Sequence, residues 1–160
     1  MNDRRQIAEA TARKYTRSQE LLKPLGSGAE GFIFPTMCTI AIKVFTYREK
    51  YQSEFAAYER LWDCNVDEIL GFAIPRLINA DPQLLVIEMS MVEPPFLIDC
   101  AQSVLDEPLD FPDGMDEWWE RVEAVFGDHF ERARDVYFKL QNMTGIYYYD
   151  LAPRNLNFGE

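Results

Sequence analysis

Gly26-Ser27-Gly28-Ala29-Glu30-Gly31-Phe32-Ile33-Phe34-Pro35, followed by Ile40-Ala41-Ile42-Lys43-Val44, is the stretch on which the fold turns. Glycines spaced as GxGxxG suit two architectures. In a dinucleotide-binding βαβ unit they lead directly into a helix whose N-terminal amides meet a pyrophosphate. No helical period follows here. Phe32, Phe34, Ile40, Ile42 and Val44 recur at two-residue spacing in two runs split by Pro35-Thr36, which predicts strand, turn, strand. Glycines at a hairpin tip make a lid whose backbone approaches phosphates closely, and an ordinary glycine-rich turn has the same spelling.

Outward from the hairpin, Lys43 ends an apolar alternation. A cation on the inner face of a sheet is costly to bury unless anions meet it; the plainer alternative is a strand-end lysine that reaches out to water. From Lys50 to Trp62 the period becomes helical, with Tyr51, Phe55, Tyr58 and Trp62 at three- and four-residue steps. Glu54 on that helix is placed to pair with Lys43, Glu59 is the alternative, and a solvated charge is the plain reading of each. Gly71 to Ala80 and Leu84 to Glu88 read as two more strands joined at Asp81-Pro82. Upstream, residues 4 to 18 carry helix formers and few core positions, which predicts a surface helix or arm.

After Pro94-Pro95 the pattern is helical. Met115, Trp119, Val122 and Phe126 form one stripe closed by Gly127; Phe130, Ala133, Tyr137 and Leu140 form the next, stopped near Gly145. Ile146 to Phe158 reads as strand, loop, strand. Within it Tyr149-Asp150-Leu151-Ala152-Pro153-Arg154-Asn155 sets a carboxylate and an amide five residues apart around a proline. Such a pair supplies a proton acceptor and a metal ligand, or simply satisfies local backbone groups. The whole pattern is α+β, sheet-rich first and helical second.

The 160 residues are 48% hydrophobic and 27% charged, the composition of one folded domain or one with a small appendage. The formal net charge of −11 argues against nucleic acid or an anionic membrane as partner. Twelve of the acids lie between Asp99 and Asp135 against three basic residues, and that region is the candidate for a protein partner. Its Trp118-Trp119 pair fits the plainer alternative too, a solvated face with one tryptophan in the core. Three scattered cysteines without CxxC spacing favour a reducing, cytoplasmic setting. A single histidine, His129, argues against a histidine triad or a zinc cluster. No apolar run reaches the roughly 20 residues needed to span a bilayer.

Taken in order, these pieces resemble the protein-kinase-like fold over about residues 20 to 155. Gly26, Gly28, Gly31 and Ile33 match the family's GxGxxGxV lid. Ala41-Ile42-Lys43 resembles its VAIK strand, and Glu54 takes the place of its helix-borne glutamate. Leu84 to Met89 is similar to the strand entering the hinge, where the resemblance implies that Glu88 and Met89 main-chain groups meet adenine. Asp150 and Asn155 match the catalytic loop, as base and metal ligand, with Asp150 also touching the metal. The implied fold is an antiparallel N-lobe sheet with one helix (residues 19 to 92), preceded by an N-terminal helix or arm (1 to 18) and followed by a reduced helical C-lobe (93 to 160). The implied cofactors are ATP and Mg2+ or Mn2+.

Departures from the family pattern are specific. Tyr148 and Tyr149 stand where it has His and Arg, so control through a phosphorylated activation segment is not expected. Ala152 and Arg154 resemble the tyrosine-kinase spelling, which implies that Arg154 contacts the transferred phosphate. Asn157-Phe158-Gly159 imitates DFG, but it lies too close to Asn155 and reads as a strand end; metal binding then falls to Asp150, Asn155 and Glu160. Two functions fit. One is a minimal ATP-dependent phosphotransferase with weak or absent turnover, acting on a protein or small-molecule hydroxyl. The other is a pseudokinase, a non-catalytic binding or regulatory module. The first requires that the glycines, Lys43 and Asp150 converge on one nucleotide.

Overall fold

The two-residue alternation around the glycines builds strands, and the sheet they form organises the first part of the chain. In a computed structural model, residues 2–17, 21–24, 26–27, 31–97, 100–111 and 114–159 are described. The chain divides into two compact units: residues 1–55 with 75–91, and residues 56–74 with 92–160.

The first unit contains α1 (Asn2–Thr16), β1 (Gly26–Ser27), β2 (Gly31–Pro35), β3 (Ile40–Phe45), β6 (Leu77–Asp81) and β7 (Val86–Ser90). It also holds the N-terminal half of α2 (Arg48–Asp63), the helix that runs from one unit into the other. The five strands form one antiparallel sheet in the order β1-β2-β3-β7-β6. Gly26 and Ser27 register with Ile33 and Phe32, so the glycine segment joins two strands of a hairpin and no helix follows it. That removes the dinucleotide βαβ reading. At the β2–β3 turn, Thr36 donates its N–H to the Ile40 carbonyl at 2.8 Å.

One face of this sheet carries Phe34, Ile42, Val44 and Val86, all buried. Residues 41, 43 and 45 point the other way, because successive strand residues alternate. The first face is covered by α1. Ala8 and Ala12 are buried against Phe34, Ile42, Val44 and Val86, with Tyr15 packed beside them. This corrects the expectation of a helix with few core positions. Ala8, Ala12 and Tyr15 do sit at helical spacing, but a stripe of alanines reads as weakly apolar. Small side chains are nonetheless what lets a helix lie close on a sheet. The Tyr15 hydroxyl donates to Glu88 Oε2 at 2.7 Å and ties the end of α1 to β7.

The second unit contains β4 (Glu68–Ile69), β5 (Phe72–Ala73), β8 (Phe96–Leu97), β9 (Ser103–Leu105), α3 (Met115–Phe126), α4 (Phe130–Thr144), β10 (Ile146–Tyr148) and β11 (Leu156–Asn157). A single 3-10 turn, Gly127–His129, separates the two helices. Besides the expected helices it has two small sheets, β11-β8-β5-β4 and β10-β9, built from strands too short to show a period. The stretch 71–80, read as one strand, is two: Phe72–Ala73 belongs to this unit and Leu77–Asp81 to the first. Gly127 and Gly145 end their helices at positive φ, 52° and 72°. Arg60 joins three elements here, donating to both Asp106 carboxylate oxygens at 2.7 and 2.8 Å and to the Thr144 carbonyl at 2.8 Å.

Two stripe assignments shift. On α3 the core tryptophan is Trp118, 7% exposed, while Trp119 is half-buried. On α2 it is Tyr51, Glu54, Ala57, Tyr58 and Leu61 that are buried, and Trp62 is 71% exposed. No helix among the described residues is long and apolar enough to cross a membrane.

Candidate functional site

Lys43 lies within β3 and is only 4% exposed; Glu54, the seventh residue of α2, is 1% exposed. The ammonium donates to both carboxylate oxygens, Nζ to Oε1 at 2.9 Å and to Oε2 at 2.6 Å. Of the two glutamates open in the sequence, Glu54 is therefore the partner, and Glu59 is exposed. The Phe45 ring lies 5.1 Å from the ammonium and stacks edge-on against Tyr51 at 5.7 Å, so the pair has an apolar wall. Charges removed from water in this way depend on each other's presence.

The other residues of the first unit take these places. Ile33 registers with Lys43 across the β2–β3 ladder. Ala41, buried, precedes Lys43 by two residues on the same strand face. Gly26 is in β1 and Gly31 opens β2, while Gly28 lies outside the described residues. Gly31 has a packing reason of its own: a Cβ there would run into the carbonyl oxygen of Val44 on the facing strand. Glu88 and Met89 are interior to β7. Glu88 registers with Ile42 on one side and Asn79 on the other, Met89 with Ala41 and Leu77. Their main-chain groups belong to a ladder on both sides, and the Glu88 carboxylate holds Tyr15, whose ionisation is pushed up by burial and then by that bond.

In the second unit the loop between β10 and β11 brings Asp150, Arg154 and Asn155 together. Arg154 Nη2 donates to Asp150 Oδ1 at 2.7 Å. Asn155, buried, donates its Nδ2 to the Asp150 carbonyl at 2.8 Å, and its N–H reaches the Ala152 carbonyl at 2.8 Å. The side-chain amide thus closes the loop on itself and turns its other end, Oδ1, away from that bond. Arg154, 70% exposed at its side chain, lies on the carboxylate it follows by four residues. Glu160 lies outside the described residues.

Tyr149, immediately before Asp150, is held from the far side: its hydroxyl accepts the Leu109 N–H at 3.0 Å and its ring meets Trp118 at 5.7 Å and Phe111 at 5.2 Å. Nothing in the sequence marked that anchoring. The neighbouring Tyr137 phenol is pushed up, chiefly by burial and then by Tyr149. Asn157 is in β11 and its Oδ1 accepts the Gly159 N–H at 2.8 Å, a local turn at a strand end. Phe158 packs among Phe72, Phe126 and His129, with the Arg132 guanidinium over its ring at 5.2 Å. Lys43 and Glu54 fall in the first unit, Asp150, Arg154 and Asn155 in the second. Among the described residues there is no group of three or more His, Cys, Asp or Glu side chains that could hold a metal ion.

No protein-family model matches the sequence. A search of curated proteins finds no match. Solved structures similar to the chain include two aminoglycoside phosphotransferases. An ADP-bound crystal structure of APH(2'')-Ib is 22% identical over 55% of this chain and 28% of its own, with a TM-score of 0.40. The ternary complex of streptomycin, ATP and APH(2'')-IIa is 18% identical over 78% of this chain and 33% of its own, also with a TM-score of 0.40. The chain spans about a third or less of the length of these structures.

Proposed function

We propose that the chain is a minimal kinase-like module that binds ATP with a divalent cation, with transfer of the terminal phosphoryl group to a hydroxyl as its chemistry. The observation that carries this is the buried Lys43–Glu54 pair on a strand reached through a glycine hairpin. As a device for stability a buried ion pair is poor, because well-packed apolar residues of the same volume do as well or better. A function that needs an oriented cation explains it: Glu54 fixes the ammonium, which then meets phosphate oxygens without first being ordered.

The donor set of the Asp150 loop fits a hard divalent cation. Mg2+ takes oxygen ligands and is held by one or two protein groups with phosphate oxygens completing its shell, so Asp150 and the Asn155 amide oxygen suffice without a second carboxylate. Bound there, the cation neutralises phosphate charge. Asp150 serves as proton acceptor for the attacking hydroxyl, and Arg154 leaves its carboxylate for the transferred phosphoryl group. Asn157 takes no part in that set, because its Oδ1 accepts the Gly159 N–H in a local turn.

Calorimetry with ATP and Mg2+, followed by single-turnover ADP formation, tests the reading. Lys43→Ala leaves Glu54 buried without a cation and endangers folding, so the decisive variant is Lys43→Met with Glu54→Leu. Binding by the native chain, loss in that double variant while it stays folded, and loss of ADP formation alone in Asp150→Asn are the expected results. Binding without any ADP assigns a non-catalytic module. Equal affinity in the native chain and the double variant overturns the assignment.

A further inference from the structure

Between α3 and α4 the second unit leaves an aromatic floor open to solvent. Trp119, Phe130, Arg134, Asp135 and Phe138 line a cleft of about 510 Å³. Trp119 stacks on Phe138 at 5.6 Å and meets Phe130 edge-on at 6.1 Å. Phe138 remains 43% exposed, which is unusual for a phenylalanine that has neighbours to pack on. The floor already receives a cation from its own chain: the Arg134 guanidinium lies 5.6 Å from the Phe130 ring while pairing with Glu131. On α3, Asp116 and Glu123 stand three residues before and four after Trp119, hence on its side of the helix, and Glu120 follows it; all three are exposed, and Arg121 is the one basic residue of that helix.

We infer that this cleft docks a basic amphipathic helix of a partner protein, whose large apolar side chains enter between Trp119 and Phe138 and whose lysines or arginines meet the α3 carboxylates. The aromatic floor supplies desolvated anchor contacts and cation–π sites, and the acids supply orientation and rate of encounter. An anionic membrane is disfavoured by the same carboxylates. The inference stands apart from nucleotide binding, since none of its residues belongs to the Lys43 or Asp150 groups.

The test uses an immobilised synthetic 18-residue helix of leucines and lysines arranged on opposite faces, its glutamate-for-lysine counterpart, and the full chain in solution, read by biolayer interferometry. Phe138→Ala removes an exposed ring and should leave melting unchanged. Expected is binding of the lysine peptide only, weakened about tenfold or more by Phe138→Ala and by the triple change Asp116→Lys, Glu120→Lys, Glu123→Lys. The triple change Glu49→Lys, Asp63→Lys, Glu68→Lys alters net charge equally and should change affinity by less than about twofold. Equal weakening by the two triple changes, or no effect of Phe138→Ala, overturns the inference by showing charge attraction without a site. Concentration-dependent self-association in sedimentation that Phe138→Ala abolishes overturns it in favour of a second copy of this chain.

Discussion

Replacing Lys43 by Met would leave the Glu54 carboxylate buried, 1% exposed, with neither the 2.6 nor the 2.9 Å bond to the ammonium. Breaking a buried pair at one end costs about 3–5 kcal/mol, far more than the pair contributes over an apolar replacement. In a chain of this length each kcal/mol moves the melting temperature by about 2–4 °C, so the single change should lower it by roughly 6 to 20 °C. Adding Glu54→Leu removes the stranded charge and should restore most of that loss, because Phe45 and Tyr51 already supply an apolar wall. Urea unfolding followed by far-ultraviolet circular dichroism measures both variants, and amide exchange at Ile42 and Val44 localises the change to β3. A loss below about 1 kcal/mol for Lys43→Met alone, or a double variant less stable than the single one, would refute the reasoning, since either result means that the charge is solvated.

Three further outcomes follow from contacts already described. Gly31→Ala drives a methyl into the Val44 carbonyl and should cost about 1–3 kcal/mol, with faster exchange of β2 and β3 amides as the check. Tyr15→Phe removes the hydroxyl donated to Glu88 and should cost about 1.5–3 kcal/mol of α1 docking, read as accelerated exchange at Ala8 and Ala12. The same contact has a pH signature. A phenol whose folded value is raised stabilises fully below its unfolded value, about 10, and that contribution is lost as pH rises through the folded value. The Asp106 carboxyl is held below its ordinary value by hydrogen bonds from Arg60, so its contribution is present above about pH 4 and lost as pH falls further. Urea midpoints between roughly pH 7 and pH 3 should fall more steeply for the native chain than for Asp106→Asn, and identical slopes would sink that assignment.

What the sequence made legible was whatever repeats over several residues. The β2–β3 hairpin, α2, α3 with its Gly127 end and α4 with its Gly145 end all extend for long enough to display a period and a terminator. The two-residue strands of the second unit have no period to display and exist only through their partners. The covering of the sheet by α1 was hidden because alanine contributes closeness rather than apolar bulk. Choosing Glu54 over Glu59 depends on which side of α2 faces β3, and choosing Trp118 over Trp119 depends on a helix phase one residue from the one expected. Of the candidate site, the residue types and spacings around Lys43 and Asp150 could be read directly. The Tyr149 anchor and the ladder positions of Glu88 and Met89 could not, because both are set by strands distant in sequence.

All three tryptophans, Trp62, Trp118 and Trp119, belong to the second unit. Indole emission is therefore blind to the sheet that carries Lys43. Within the second unit it has two colours: Trp62, in water, emits at long wavelength and is open to collisional quenchers. Trp118 and Trp119, with ring centres 4.6 Å apart at 69°, form an excitonically coupled pair with a signed couplet in the absorption region. If the two units melt separately, that couplet dates the collapse of the helical part alone.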